Sequence, residues 1–251
     1  MSFNKGIQYG WNSMSSSYQD LSDISLDDIH FAPFSAGNNE LNLLGNIKGE
    51  TVLELGSGAL QNSVFMSKAG ADVTAIDFSR NQLRHGQKFL SENKCDINIV
   101  LADISKLDFL KPGQFDGIIT VFALEFLENI DLFFESCEKL LKPEGWLIVS
   151  TVHPLSAFEW DDQKKLLEVG NYFNPPVEVW KEDESHPNAV TIFRSISEIF
   201  TSITNSGLNV EILMEPAGTN RRSPYKGTYW APYRSRFEFI PFAVVLKALK
   251  K

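Results

Sequence analysis

A chain of 251 residues is long enough for one large domain with a buried core, so neither disulfides nor a structural metal is needed to stabilise it. Its 23 basic and 32 acidic residues leave a net charge of −9, which excludes a nucleic-acid footprint spread over the whole surface. With 43% apolar residues and 19 Phe, 5 Trp and 6 Tyr, a disordered chain is excluded too.

The opening MSFNKGIQYGW has no apolar signal core, and no run approaches the ~20 apolar residues of a membrane span. A soluble cytoplasmic protein is expected. Residues 1–50 scatter Trp11, Tyr18, Phe31 and Phe34 among Ser, Asp and Asn, which predicts one or two short helices lying over the main domain as a lid. From Thr51 the texture changes. Thr51–Leu55 is an apolar run ending in Gly-Ser-Gly and reads as a buried strand. Gln61–Ala69 is a helical stretch that Gly70 stops. Asp72–Ile76 is a second strand, and Ser79 with Gln82 forms a capping box for a helix running to about Asn93. Asp96–Leu101 and Phe115–Val121 are the third and fourth strands. A helix with Leu132, Phe133, Cys137, Leu140 and Leu141 on one face then stops near Pro143 and Gly145. Trp146–Val152 is the fifth strand. Strands alternating with helices imply right-handed crossovers and a doubly wound parallel α/β sheet.

Residues 155–194 break this rhythm with Trp160, Trp180, prolines and acids, and read as an inserted cap. Ser195 and Glu198 make a second capping box, for a helix that Gly207 ends. Leu208–Met214 is the sixth strand. Phe237–Leu246 is expected as the last, joined to it by a loop without a helix and paired with it antiparallel. The two cysteines, Cys95 and Cys137, lack metal-binding or disulfide spacing and read as small buried hydrophobes. One domain over 1–251 is expected: lid 1–50, cofactor half 51–154, cap 155–194, and C-terminal helix and hairpin 195–251.

The chemistry sits at the strand ends. Gly56, Ser57 and Gly58 turn the first strand into a helix where a side chain would block backbone approach to a ligand. Asp77 ends the second strand, about 20 residues further on, where an acid accepts hydrogen bonds from ribose hydroxyls. Asp103 follows the third strand. Gln61 stands where a dinucleotide site needs a third glycine, and no triphosphate loop occurs, so a pyrophosphate or triphosphate ligand is unsupported.

The segments ELGSG, AIDFS, LADI, FDGIITVFALEFL and LLKPEGWLIVSTVHP, in this order, resemble the class I S-adenosylmethionine (SAM)-dependent methyltransferases. The resemblance implies a seven-stranded Rossmann-like sheet in order 3-2-1-4-5-7-6 with the last strand antiparallel. It implies SAM as cofactor, with Gly56 and Gly58 along the methionine part, Asp77 on the ribose and Phe78 bordering the adenine. Asp103 and Ile104 then meet the adenine edge, and Phe122 lies beside the methionine part. Ser57 and Gln82 are counted with them as cofactor contacts. One departure stands out: Leu60 occupies the position of the family's usual third glycine, where its isobutyl group either crowds the methionine moiety or points into the sheet–helix interface.

For the methyl acceptor, His153 just past strand five is the leading proton acceptor and Glu125 just past strand four the second. Tyr9, Trp11 and Tyr18 are candidates for a lid and a cradle near the sulfonium, and Trp160, Arg221 and Tyr229 for substrate contact. The place after strand four reads VFALEF rather than the Asn-Pro-Pro-Tyr box of base amino-methylases. Neither cysteine is placed as a nucleophile, and no acid cluster suggests a metal. The expected partner is a small molecule, with no nucleic acid and no membrane, bound by a monomer or homodimer. The rival feature is Asn220–Arg236, with five basic and four aromatic residues, which suits an RNA strand or an anionic small substrate. Residues 221–251 carry +7 and the first 220 carry −16. A non-catalytic binding module and an RNA methyltransferase are the alternatives to a small-molecule methyltransferase.

Overall fold

The computed structural model describes residues 3–180, 189–218 and 223–251. Seven strands form its central sheet: β1 (Thr51–Leu55), β2 (Asp72–Asp77), β3 (Ile97–Leu101), β4 (Phe115–Val121), β5 (Leu141–Val152), β10 (Leu208–Met214) and β11 (Ala243–Lys250). Their order across the sheet is β10-β11-β5-β4-β1-β2-β3. The five strands from β5 to β3 run parallel, while β11 is antiparallel to both β5 and β10. This is the order that the family resemblance implies, with the antiparallel last strand that the sequence predicts.

Alternation along the central strands divides the core between the two faces. Leu53 and Leu55 of β1, with Ile118 of β4, pack against helices α5 (Ile130–Leu140) and α6 (Ile196–Asn205) through Phe133, Phe134, Ile199 and Ile203. Val52 and Ile119 face the other way, onto α3 (Gln61–Lys68) and α4 (Arg80–Asn93) and the buried Ile29 and Phe31 of the N-terminal segment. Full burial of side chains of this size contributes roughly 1.5–3 kcal/mol each.

The N-terminal region is one long helix, α1 (Phe3–Ser22), followed by the single turn α2 (Asn38–Leu41), where one or two short helices were expected. Helix α1 lies on α4 and on the cap strand β9 (Ala189–Thr191), which pairs with β8 (Glu178–Trp180). A second small hairpin in the cap joins β6 (Glu159–Asp161) to β7 (Leu166–Glu168).

Three expectations need correction. Strand β5 begins at Leu141, directly after α5, because Leu141 already pairs with Phe115 of β4; an irregularity at Glu144 (φ +64°) follows, and Trp146 then lays its indole over Gly117, where any Cβ would lie 2.1 Å from the ring. Strand β11 begins at Ala243 rather than Phe237; Pro241 has no N–H to give the sheet, and the preceding residues form the short helix α7 (Arg234–Phe237). The capping boxes are half made. Ser79 Oγ accepts the Gln82 N–H (3.2 Å) and Ser195 Oγ the Glu198 N–H (3.2 Å), but the Gln82 and Glu198 side chains bond to Gln19 and Arg194 instead.

Candidate functional site

The carboxyl ends of β1, β2, β3 and β4 open into one cleft. Past β1 the N–H groups of Gly56 and Ser57 both donate to the Ile76 carbonyl (2.9 and 3.0 Å), which bends the chain sharply. Gly56 has φ +73°, and a Cβ there would lie 2.4 Å from the Ala123 methyl group. Glycine is therefore required at this position on both backbone and steric grounds. The Gly58 N–H then donates to Asp77 Oδ2 (2.8 Å) and the Ser79 N–H to Asp77 Oδ1 (2.7 Å), so a single carboxyl group ties the β1 turn to the start of α4. Burial raises the Asp77 pKa to about 6, against the lowering effect of these bonds. Glu54, also buried, is pushed up to about 7 by desolvation and accepts from Ser63 Oγ.

All nine cofactor candidates read from the sequence, Gly56, Ser57, Gly58, Asp77, Phe78, Gln82, Asp103, Ile104 and Phe122, line this cleft. Helix α1 closes it. Asn4 donates to Asp103 Oδ2, Gln8 to the Phe78 carbonyl (2.8 Å) and Gln19 to Gln82 Oε1 (2.8 Å), while Trp11 and Tyr18 form part of the wall. Leu60 is absent from the lining although Ala59 and Gln61 on either side belong to it. Its backbone is left-handed (φ +66°), which explains why glycine suits the position, and its side chain is fully buried against Gly86 of α4. The departure from the family pattern therefore falls in the helix interface and leaves the cleft clear.

The sequence reading missed His30, Glu54, Asn62 and Phe126 in this wall. Glu54 lay within the quoted ELGSG segment. His30 and Asn62 had no local signal, because the N-terminal segment reaches the cleft only through packing on α3, where Asn62 Oδ1 accepts the His30 N–H (3.1 Å). Burial lowers the His30 pKa to about 4, so the ring is neutral at physiological pH.

A second cavity of about 750 Å³ adjoins the first. Trp11, Tyr18, Phe122 and Phe126 line both. Its other walls come from the cap (Trp180, Thr191), the segment after β5 (Ser156) and the C-terminal region (Tyr229, Trp230, Arg236, Phe242). Glu125 is in this wall, 3% exposed, accepting from Thr151 Oγ1 at 2.9 Å. Desolvation pushes its carboxyl up to about 7, outweighing its own backbone N–H, Thr151 and the cation of Arg194. Arg194 braces the turn that carries Glu125 by donating to the carbonyls of Leu124 (3.3 Å), Leu127 and Glu128.

His153, the leading proton acceptor in the sequence reading, is placed differently. Its Nδ1 accepts the Leu155 N–H (3.1 Å), so the proton sits on Nε2 and is donated to Glu215 Oε1 (2.7 Å). Both ring nitrogens are engaged and the residue lines neither cavity. It clips the β5 exit to the loop after β10. Of the other substrate candidates, Trp11, Tyr18 and Tyr229 meet in the second cavity, with Tyr18 and Tyr229 in edge contact at 4.9 Å. Tyr9 and Trp160 line neither cavity; Trp160 lies against Phe239 (5.6 Å) and donates to Asp162 (3.2 Å). Arg221 lies outside the described residues. Among the described residues no helix is long and apolar enough to cross a membrane.

A doubly wound sheet with a glycine turn and acids at successive strand ends defines a nucleoside-binding fold of the SAM-methyltransferase kind. Residues 53–149 match the family described as "Methyltransferase domain". The ubiquinone biosynthesis O-methyltransferase of Bordetella avium is 30% identical over 111 residues, 44% of this chain and 46% of that protein. An uncharacterized protein of Haemophilus influenzae is 26% identical over 228 residues, covering 85% of this chain and 87% of that one. A SAM-dependent methyltransferase structure from Mesorhizobium loti superposes with a TM-score of 0.69 at 20% identity, covering 84% of this chain and 95% of that one. The chain spans less than half the length of the ubiquinone O-methyltransferase it matches. Residues 53–149 thus resemble a methyltransferase domain, and the chain shares the fold of SAM-dependent methyltransferases.

The cleft suits SAM on its own chemistry. Ser57 Oγ is buried in its wall without a hydrogen-bond partner, beside the buried polar side chains of His30 and Asn62. An unmet buried polar atom of this kind calls for a polar ligand group, such as the amino-acid end of SAM.

Proposed function

We propose that the protein methylates a small, planar acceptor, using SAM and releasing S-adenosylhomocysteine (SAH). The observation that carries this reading is the aromatic cavity joined to the cofactor cleft across Trp11, Tyr18, Phe122 and Phe126, with Glu125 in its wall. Bound SAM supplies an electrophilic methyl group on a cationic sulfur. Asp77 would hold the ribose hydroxyls, and Asp103, Ile104 and Phe78 would contact the adenine. The four shared aromatic residues form the passage for the methyl group and exclude water from it. Their π faces favour a cationic sulfur.

Glu125 removes the acceptor's proton. A carboxyl with a pKa near 7 is ionised in part at neutral pH and still basic enough to take a proton from a phenol or ring nitrogen. The volume of the cavity and its aromatic walls favour a small molecule over a polymer. The name of the Bordetella relative supports an oxygen nucleophile on a quinone-like ring.

Calorimetry with SAM and SAH tests the cofactor half. Both ligands are expected to bind, and Asp77→Ala is expected to weaken SAH by about tenfold or more, the scale of a lost charged hydrogen bond of about 1.5–3 kcal/mol. Absence of binding at millimolar ligand overturns the reading.

A further inference from the structure

Among the described residues that line the aromatic cavity Arg236 is the sole cation, and nothing in the cofactor's chemistry uses it. One of its terminal nitrogens, Nη2, donates to the Leu155 carbonyl at 2.7 Å, which fixes the guanidinium beside the segment that leaves β5. Its Nε is buried and has no hydrogen-bond partner. The group has no ion pair with an acid among the described residues. Glu125 and Glu178, the acids in the same wall, are not among the charges that act on it; desolvation and Tyr233 are. Ser156, one residue beyond Leu155 and also in the wall, has a buried hydroxyl oxygen with no partner.

A desolvated cation without a counter-ion is costly, and so is a buried donor without an acceptor. Both costs fall at one place, in a cavity closed by the rings of Phe237 and Phe242 (4.4 Å apart) and Trp230 (5.1 Å from Phe242). An acceptor-only group meets both needs. The guanidinium offers an oxyanion parallel N–H groups, the serine adds a hydroxyl donor, and the surrounding rings keep the local dielectric low enough for the pairing to count.

We infer that the methyl acceptor carries an oxyanion, a carboxylate or phosphate, seated on Arg236 and Ser156 while its ring lies among the cavity aromatics and its nucleophile faces Glu125. This rests on the methyltransferase reading and names the substrate class for it. It also assigns a purpose to the C-terminal end of the basic segment singled out in the sequence: the charge serves one small anion inside a cavity rather than a nucleic-acid strand on the surface.

The test uses the full-length protein saturated with SAH, titrated with 4-hydroxybenzoate, phenyl phosphate and the uncharged methyl 4-hydroxybenzoate. At least one anion is expected to bind tenfold or more tightly than the ester, and the tighter anion identifies the oxyanion. Arg236→Gln is expected to abolish that preference and Arg236→Lys to keep part of it, both with SAH affinity within twofold of the parent. Because the Leu155 contact makes Arg236→Gln a risk to folding, Ser156→Ala serves as the milder variant and is expected to reduce the preference about threefold. An ester bound as tightly as both anions, or a preference that survives Arg236→Gln, overturns the inference. Failure of SAH itself to bind overturns the methyltransferase reading instead.

Discussion

Leu60 shows how one residue departs from a family pattern without closing the site. Its left-handed backbone costs a non-glycine residue about 1–2 kcal/mol, and burial of its side chain against Gly86 offsets that cost. Leu60→Gly removes the strain but opens a cavity, and losing a buried leucine costs about 2–5 kcal/mol. The variant is expected to be less stable by about 1–3 kcal/mol in urea unfolding, with SAH affinity unchanged within twofold. A large gain in affinity would contradict this placement. Glu125 carries the second prediction at this scale. Its carboxyl ionises near 4.5 when surrounded by water and near 7 when folded. The folded state thus holds the proton longer, and the carboxyl's favourable contribution, complete below about 4.5, is lost as pH rises to 7. Glu125→Gln, which cannot ionise, is expected to gain in Tm relative to the parent from pH 5 to 8, at about 2–4 °C per kcal/mol. It is also expected to lose roughly 10²–10⁴ in methyl-transfer rate, while the parent's rate rises with pH through about 7. A pH-independent Tm difference would refute the buried-carboxyl account.

Helices α3 and α4 meet at the same contact. A Cβ at Gly86 would lie 2.5 Å from Leu60 Cγ and 3.0 Å from the Ala59 carbonyl. Gly86→Ala is therefore expected to destabilise by about 1–3 kcal/mol through overpacking. Adding Leu60→Ala should recover part of that loss, because the added methyl then occupies space the leucine left. A double-mutant cycle by urea denaturation should give a coupling of about 0.5–3 kcal/mol. Simple additivity would place the two residues apart. The Leu60 N–H donates to the Ser57 carbonyl (2.9 Å), which links this contact to the glycine turn of the cofactor cleft.

Across the whole molecule, α1 joins the cofactor half to the cap. It is rich in Ser, Gly and Asn, weak helix formers, and depends on its docking contacts. Gly10 lies under Trp180, where a Cβ would come within 2.4 Å of the indole, and Trp11 meets that ring edge-on at 6.5 Å. Asn12 binds Ser79 and Asn81 at the start of α4. A ligand beneath such a lid stabilises it by mass action, about 2.7 kcal/mol at a hundredfold excess over Kd. SAH is expected to slow amide exchange in residues 3–22 more than in α5. Equal protection in the two helices would argue that α1 is not coupled to the cleft.

The succession of strands and helices, the polarity of β11, the glycine turn and the acids at the ends of β2 and β3 were legible in the sequence, because period and breakers act over short stretches of chain, while the order of strands across the sheet followed from the family resemblance. Tertiary structure alone decided which polar groups were left available. His153 read as a base from its position, yet its Nε2–H is donated in a hydrogen bond to Glu215, 62 residues further on. Glu125 read as a weaker candidate, yet burial beside Thr151 gives it the shifted carboxyl and the place in the cavity wall. Leu60 changed meaning once Gly86 was seen beneath it, and Arg236 once its Nε was found without a partner. In each case the deciding partner is distant in sequence. Burial and hydrogen bonding, which determine whether a side chain reacts, binds or only packs, are properties of that partner as much as of the residue itself.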